Sequence, residues 1–374
     1  MIVFINDSYD PYYNQAFEEY IFNVFNNDDL VIIWRNSPVV VVGCYQNICR
    51  EVNIHALRKA GIPVIRRMSG GGTVYHDSGN VNYTMVCARD RFEGGFVNYE
   101  YFLERVVRAL NNLGIPACHD RLCDIAIEGR KISGSAQKVS GGRVLHHGTL
   151  LFSSELALLD EITTKNKSNN FATSASESAI CRVTNINEYF TPDGMTARKN
   201  TYDEDIFKYA VCKDNEIYNI NTAMETQSTC KEHVKPDIEA FCEAFLLQLV
   251  REKTRYIRLE SEHTEKIKLL ADEKYKSWEW TWGKTPAFEF KREGVFKNVP
   301  IEISYSAKKG IVSDFKITSS FIDRCKASSI FDGARFDPDV FEKNISLVLE
   351  NVNDKAKSVD EVNADKETLM QLIM

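Results

Sequence analysis

"RRMSGGGTVYHDSGN", residues 66–80, is the stretch on which the reading of the chain turns. Two arginines, a serine and three consecutive glycines precede a β-branched and aromatic run. Glycines lose more backbone freedom on folding than other residues, so three in a row are costly to order. They persist where φ must be positive or where something approaches the backbone closely. Successive N–H groups freed of side chains form an anion-binding concavity, and Arg66 and Arg67 are suited to pair with a phosphate or carboxylate. The stretch is neither GxxxxGK[ST] nor GxGxxG. By itself it fits a ligand loop and an empty hairpin turn equally.

Working outward, "DPYYNQAFEEYIFNVF" (10–25) has Asp10 at an N-cap, Pro11 at the first helical position and apolar residues at helical spacing, so it predicts a helix. "LVIIWR" and "VVVVG", separated by "NSP", predict two strands joined by a turn, and "TVYHD" and "VNYTMVCA" two more joined by "SGN". Helices are predicted around 54–60 and 99–113, the second with Phe102, Val106, Val107, Leu110 and Leu113 on one face. Strands with helices packed on them, not in strict βαβ order, predict an α+β fold with a mixed sheet. Residues 191–236 are polar without a sustained period and read as a surface insertion. A further helix covers 237–255. A smaller α+β unit is expected after it, so the division is 1–255 and 256–374.

The 374 residues suit two domains. A net charge of −7 gives no basic field for nucleic acid. No apolar run is long enough to span a bilayer, and "MIVFINDSYDPYYNQAF" lacks a signal peptide's basic and apolar regions. A cytoplasmic location is the expectation. None of the ten cysteines forms a CxxC pair or a zinc-type cluster, which predicts reduced, mostly buried thiols.

Two further segments carry chemistry. In "GRKISGSAQ" (129–137) Lys131 stands at a strand edge among small residues, either solvated or poised as a point charge on a phosphoryl or acyl oxygen. In "LHHGTLLF" (145–152) adjacent histidines on a strand face opposite ways, so one at most serves a given site.

Together these motifs resemble the lipoate–protein ligase family, of the type with a C-terminal accessory domain. The resemblance rests on Arg66-Arg67, Ser69 to Gly72, Val74, His76-Asp77 and Gly79-Asn80, on "GRKISGSA" (129–136), and on "HHGTLLFS" at similar spacing. "CRVTNINEYF" (181–190) is similar to the family's RVTNL segment, and "WEWTWGKTPAF" (278–288) to the start of its accessory domain. It covers most of the chain except 191–236.

The resemblance implies the biotin/lipoate protein ligase fold, a mixed β-sheet catalytic domain with packed helices plus a small α+β accessory domain. It implies that lipoate and ATP form lipoyl-AMP with magnesium, and that the lipoyl group passes to a lysine of an apo lipoyl domain, on E2 subunits of 2-oxoacid dehydrogenases or the glycine cleavage H protein. Lys131 would be catalytic. Arg67, Ser69, Gly70, Gly71, Gly72, Val74, Tyr75, Asn80, Ser133, Gly134, Ala136, His147 and Thr149 would bind lipoate or its adenylate, with Tyr75 and Asn80 near the adenine. Asp124 would help to hold Mg²⁺. The alkyl tail and dithiolane would need an apolar slot walled by Arg67 and the His147 strand.

One departure stands out. The family's Arg-Asn-Asp run reads Arg121-Leu122-Cys123-Asp124 here. Related octanoyl- and lipoyl-transferases use a cysteine acyl-enzyme and no ATP, so Cys123 or Cys118 would be the nucleophile in that alternative. A transferase fed with preformed lipoyl-AMP and a non-catalytic binder are the others.

Overall fold

The computed structural model describes residues 1–92, 97–163, 170–179, 181–189, 237–250, 254–350 and 359–374, with the backbone of 211–213 and 216–218. Apart from that short two-stranded ladder, the expected insertion at 191–236 lies outside the described residues.

An eight-stranded mixed sheet carries the first part of the chain. Its order is Arg255–Arg258, Ile2–Ile5, Leu30–Trp34, Asn80–Ala88, Arg143–Leu151, Arg130–Ser140, Asp124–Ile127 and Cys118–His119. The first three strands are parallel and the rest antiparallel. Both faces are covered. Helix Pro11–Val24 and helix Ser261–Leu270, continued by a π turn to Tyr275, share one core with Phe4, Ile32 and Leu145. Helices Tyr99–Asn112 and Ile238–Leu249 share the other with Tyr83, Ile125 and Val144. Coverage on both sides explains why every residue of Arg143–Leu151 is buried.

The first helix starts as its sequence dictates. Asp10 Oδ1 accepts from the N–H groups of Tyr12 and Tyr13, and Pro11 occupies the first turn. Its buried face is not purely apolar: Asn14, Gln15 and Glu18 are buried with Phe17 and Ile21, whereas Val24 is exposed.

The strands predicted on either side of "NSP" and of "SGN" form, but in neither case do the two pair with each other. Val39–Val42 leaves the large sheet and stands in a three-stranded sheet between Val64–Arg66 and Val74–His76. The connections cross between sheets because their polar groups find buried partners. Asn36 is gripped by Asn14 and His76, and Asp77 accepts from the N–H groups of Gly79 and Glu155. A β-carbon on Gly79 would collide with the Ser153 carbonyl.

The C-terminal part is a four-stranded antiparallel sheet, Phe171–Thr173, Phe288–Phe296, Val299–Lys308 and Ile311–Thr318, backed by helices Arg324–Phe331, Pro338–Leu349 and Val359–Ile373. Its aromatic core is continuous with Val40, Val42, Leu57 and Tyr75 of the small sheet and its helices. The division anticipated at residue 255 falls at the start of Arg255–Arg258, a strand of the first sheet.

Candidate active site

The glycine turn is held from below by Arg67. This buried guanidinium donates from Nε to Ser69 Oγ at 3.0 Å, from Nη1 to Val41 O at 3.2 Å, and from Nη2 to Gly70 O and Gly72 O at 2.6 and 2.7 Å. Burial lowers its pKa to about 10. Gly71 has φ +83°, and a β-carbon there would stand 3.0 Å from Arg67 Nη2 and 3.2 Å from Ala136 Cβ. One on Gly43 would collide with the Gly71 carbonyl. The turn is therefore bare where two backbones and a cation meet.

Arg66 points away from this space. It donates to the carbonyls of Gly43, Cys44, Gln46 and Thr281 and to Thr285 Oγ1. The pair expected to bind an anion together is split by strand alternation: Arg67 shapes the turn, and Arg66 ties the glycine-43 loop to the C-terminal part.

Behind Arg67 runs a directed chain of hydrogen bonds. Ser69 Oγ donates to His147 Nε2 at 2.6 Å. His147 Nδ1 donates to Glu18 at 2.8 and 3.0 Å. Thr84 Oγ1 also donates to Glu18, at 2.6 Å, and accepts from Trp34 Nε1 at 3.0 Å. Glu18 is thus a buried carboxylate held by His147 and Thr84, and its charge acts favourably on Arg67 through space. Both nitrogens of His147 are engaged by protein, so the residue offers a ring surface and no free base. His146 faces the opposite way, stacked on Phe102 with ring centres 4.6 Å apart.

Lys131 lies where two cavities meet. Its Nζ is 2.8 Å from Asp124 Oδ1. Gly134 makes room for the pair, because a β-carbon there would come within 2.8 Å of that Nζ. The lysine's backbone is clamped by the RVTN segment: Lys131 N–H donates to Arg182 O at 2.8 Å, and Thr184 N–H to Lys131 O at 3.0 Å.

The first cavity, about 370 Å³, is lined by Arg67, Gly71, Gly72, Val74, Asp124, Lys131, Gly134, Ala136, His147 and Thr149 among others. The second, about 780 Å³, shares Val74, Lys131, Gly134 and Thr149 and adds Tyr75, Ser133, Arg130 and Arg182. Of the anticipated site residues, Ser69, Gly70 and Asn80 line neither. Ser69 orients His147, and Gly70 supplies a carbonyl to Arg67. Asn80 is buried and donates to Asn82 Oδ1 at 2.9 Å.

The sequence reading missed Glu18, Gln15, Trp34 and Asn82. A glutamate between Phe17 and Ile21 on the apolar stripe of the first helix was the signal available. It also missed Ser178, whose hydroxyl joins Glu51, Gln46 and the Thr73 N–H beside the turn. Cys123 is a poor nucleophile: burial, then the adjoining Asp124 carboxylate, pushes its thiol pKa up.

The fold and this paired-cavity site define an α+β ligand-binding enzyme core. Protein Ta0514 of Thermoplasma acidophilum shares the fold, at 20% identity over 75% of this chain and 98% of its own, with a TM-score of 0.55; that protein has also been solved with lipoic acid bound. Residues 10–201 match the lipoyl protein ligase A/B catalytic domain. Lipoate-protein ligase LplJ of Bacillus subtilis is 29% identical over 92% of each chain. Lipoate–protein ligase 1 of Staphylococcus aureus is 30% identical over 84% of this chain and 83% of its own. The chain belongs to the lipoate–protein ligase family.

Proposed function

We propose that this protein joins lipoate to ATP as lipoyl-AMP, releasing pyrophosphate, and then passes the lipoyl group to a lysine of a lipoyl domain. The observation that carries the reading is the position of Lys131, shared by two cavities of sizes suited to small ligands. We assign the first cavity to the acyl chain and the second, with Arg130, Arg182 and Tyr75, to the nucleotide.

In the first step a lipoate carboxylate oxygen bonds to the α-phosphorus and the bond to pyrophosphate breaks. In the second the acceptor amine bonds to the acyl carbon, the bond to AMP breaks, and the amine loses its proton. Negative charge develops on oxygens near the junction in both steps, and a preorganised ammonium stabilises it. Lys131, Arg67, Gly71, Gly72, Val74, Gly134, Ala136, His147 and Thr149 form the acyl-adenylate surface in this reading. Tyr75 and Ser133 lie on the nucleotide side, while Ser69, Gly70 and Asn80 act from behind.

Asp124 beside Lys131 fits a magnesium ion that takes its other ligands from phosphates and water. When bound, the ion would draw charge from the phosphates. Among the described residues no cluster of three or more metal-ligating side chains competes for that role. The acceptor is a lipoyl domain, of an E2 subunit or a glycine cleavage H protein. We take the accessory part to begin after the π turn ending at Tyr275, a reading supported by the packing of the preceding strand and helix on the first sheet. No described helix is long and apolar enough to cross a membrane; a cytoplasmic location is part of the proposal.

The test is to incubate the purified protein with lipoate, an apo lipoyl domain and either ATP or no nucleotide. ATP-dependent pyrophosphate release with a lipoyl mass gain on the domain is the outcome expected. Transfer from an acyl donor without ATP would favour the transferase reading.

A further inference from the structure

Gly72 is kept bare by a neighbour from a distant part of the chain: a β-carbon there would stand 3.1 Å from Ser178 Oγ. The bonds around that hydroxyl leave it one arrangement. Gln46 Oε1 accepts from Gly43 N–H and Thr73 Oγ1 at 2.8 and 2.9 Å, so its Nε2 faces Ser178 Oγ, at 3.0 Å. Thr73 N–H also donates to Ser178 Oγ, at 2.9 Å. With both acceptor positions filled, the hydroxyl donates to Glu51 Oε2. The same carboxylate oxygen takes the Ser178 N–H at 3.2 Å. Glu51 is 2% exposed, and withdrawing a carboxylate from water is costly. What this buried carboxylate does is seat one serine on the glycine turn.

The segment that carries Ser178 is anchored on the C-terminal sheet. Phe171–Thr173 pairs antiparallel with strand Phe288–Phe296. Lys291 N–H donates to Asn170 O at 2.9 Å, and Thr173 Oγ1 to Ala287 O at 3.0 Å. The Phe171 ring lies 5.0 and 5.5 Å from those of Phe290 and Phe288. Just downstream, Ser176 to Ala179 line the first cavity, and Ser178 and Ala179 line the second as well. Ser176 N–H donates to Tyr45 O at 3.3 Å, and Glu177 pairs with Arg50. A ligand that spans both cavities past Lys131 therefore runs along a wall held by the C-terminal sheet at one end and by Glu51 at the other.

We propose that residues 171–179 act as a strap through which the C-terminal sheet retains the acyl-adenylate, with Ser178 and Glu51 as its positioning residues. The inference rests on the assignment of the two cavities to acyl chain and nucleotide. A mixed anhydride waiting between two half-reactions has to be kept from water. A seated strap completes the wall that both cavities share, and an unseated one opens both at once. A short edge strand and a few hydrogen bonds place the strap at the low end of local stability, so it can yield to an entering ligand and reseat. Glu51 itself lines the second cavity. Lifting Ser178 returns the carboxylate to water, which lowers the cost of opening.

The experiment uses the full chain and a stable analogue of lipoyl-AMP in which a sulfamoyl linkage replaces the anhydride. Stopped-flow binding gives kon and koff. Ser178→Ala should raise koff about tenfold, the factor that one ordinary hydrogen bond represents, with kon held. Ser178→Thr, which keeps the hydroxyl, should stay near the native rate. Glu51→Ala should match Ser178→Ala, and the double variant should add little to either, because the glutamate acts through the serine. Phe171→Ala alters a residue that lines neither cavity, yet koff should rise with it. Thr173→Val, which removes the bond to Ala287, gives the same readout should the Phe171 variant fail to fold. An unchanged koff in folded Ser178→Ala, or in folded Phe171→Ala and Thr173→Val, would overturn the proposal, as would full additivity of the Glu51 and Ser178 effects. Absence of pyrophosphate release from lipoate and ATP in the native protein, with the analogue still bound, would sink the ligase reading alone and leave the koff ratios to judge this one.

Discussion

Lys131 is the residue on which the proposed chemistry rests. Truncating a preorganised cation of this kind typically costs about 10²–10³ in rate. Lys131→Ala should lower pyrophosphate release by that order with an unchanged circular dichroism spectrum; near-normal rates would remove the lysine from the mechanism. Glu18 is the second test at this scale. It is buried, accepts from His147 and Thr84 and acts on Arg67 through space, and hydrogen bonds to a charged group contribute roughly 1.5–3 kcal/mol. Glu18→Gln keeps an acceptor for His147 and Thr84 but loses the charge, so urea denaturation should show a loss of about 2–3 kcal/mol. A change under about 0.5 kcal/mol would show that the charge is not needed. The lysine was legible in the sequence because "GRKISGSA" surrounds it with small residues. Glu18 was not, because a helical apolar stripe hides a polar residue whose partners, Thr84 and His147, lie 66 and 129 positions away.

Among the elements, strand Arg143–Leu151 presents His146 and His147 to opposite faces, as alternation requires, and the two carry different loads. His146 is fully buried among aromatic rings, and desolvation, with His147 adding to it, sets its pKa well below the ordinary value. The unfolded chain binds a proton there near pH 6.5 and the native state does not. Stability should therefore fall as pH drops below that value, by up to about 1.4 kcal/mol per pH unit for one histidine. His76 adds a second such group down to about pH 3. His146→Phe should flatten the acid limb of a denaturation-midpoint profile between pH 6.5 and 4; an unchanged limb would mean that the ring is protonated in the native state. In the neighbouring strand, Gly134→Ala would set a methyl 2.8 Å from the Lys131 ammonium. Activity should fall well before Tm does, because the lysine tip can move aside but then leaves Asp124. The helices and most strands were legible from period and caps. That the strands flanking "NSP" and "SGN" part to different sheets was not legible, because those segments carry turn chemistry while the buried contacts of Asn36 and Asp77 that send the strands apart are long-range.

At the scale of the whole molecule, the two parts are more entangled than a linker between domains suggests. Arg66 is shared between the glycine-43 loop and Thr281 and Thr285, and Trp280 Nε1 donates back to Arg66 O at 2.6 Å. Cutting the chain near residue 255 removes a strand of the large sheet and the helix that buries Ile267 and Tyr275. Such a truncation should fail to fold, whereas one ending near residue 276 keeps the sheet and tests the accessory part itself. The strand Arg255–Arg258 was not legible because it is a short charged edge strand without an apolar signature. The most direct measurement of the central claim is lipoate-dependent exchange of labelled pyrophosphate into ATP, which reads the first half-reaction without an acceptor. The account predicts exchange that requires lipoate, survives Cys123→Ser and is lost in Lys131→Ala. Absence of exchange, with acyl transfer through a thioester on Cys123, would contradict it.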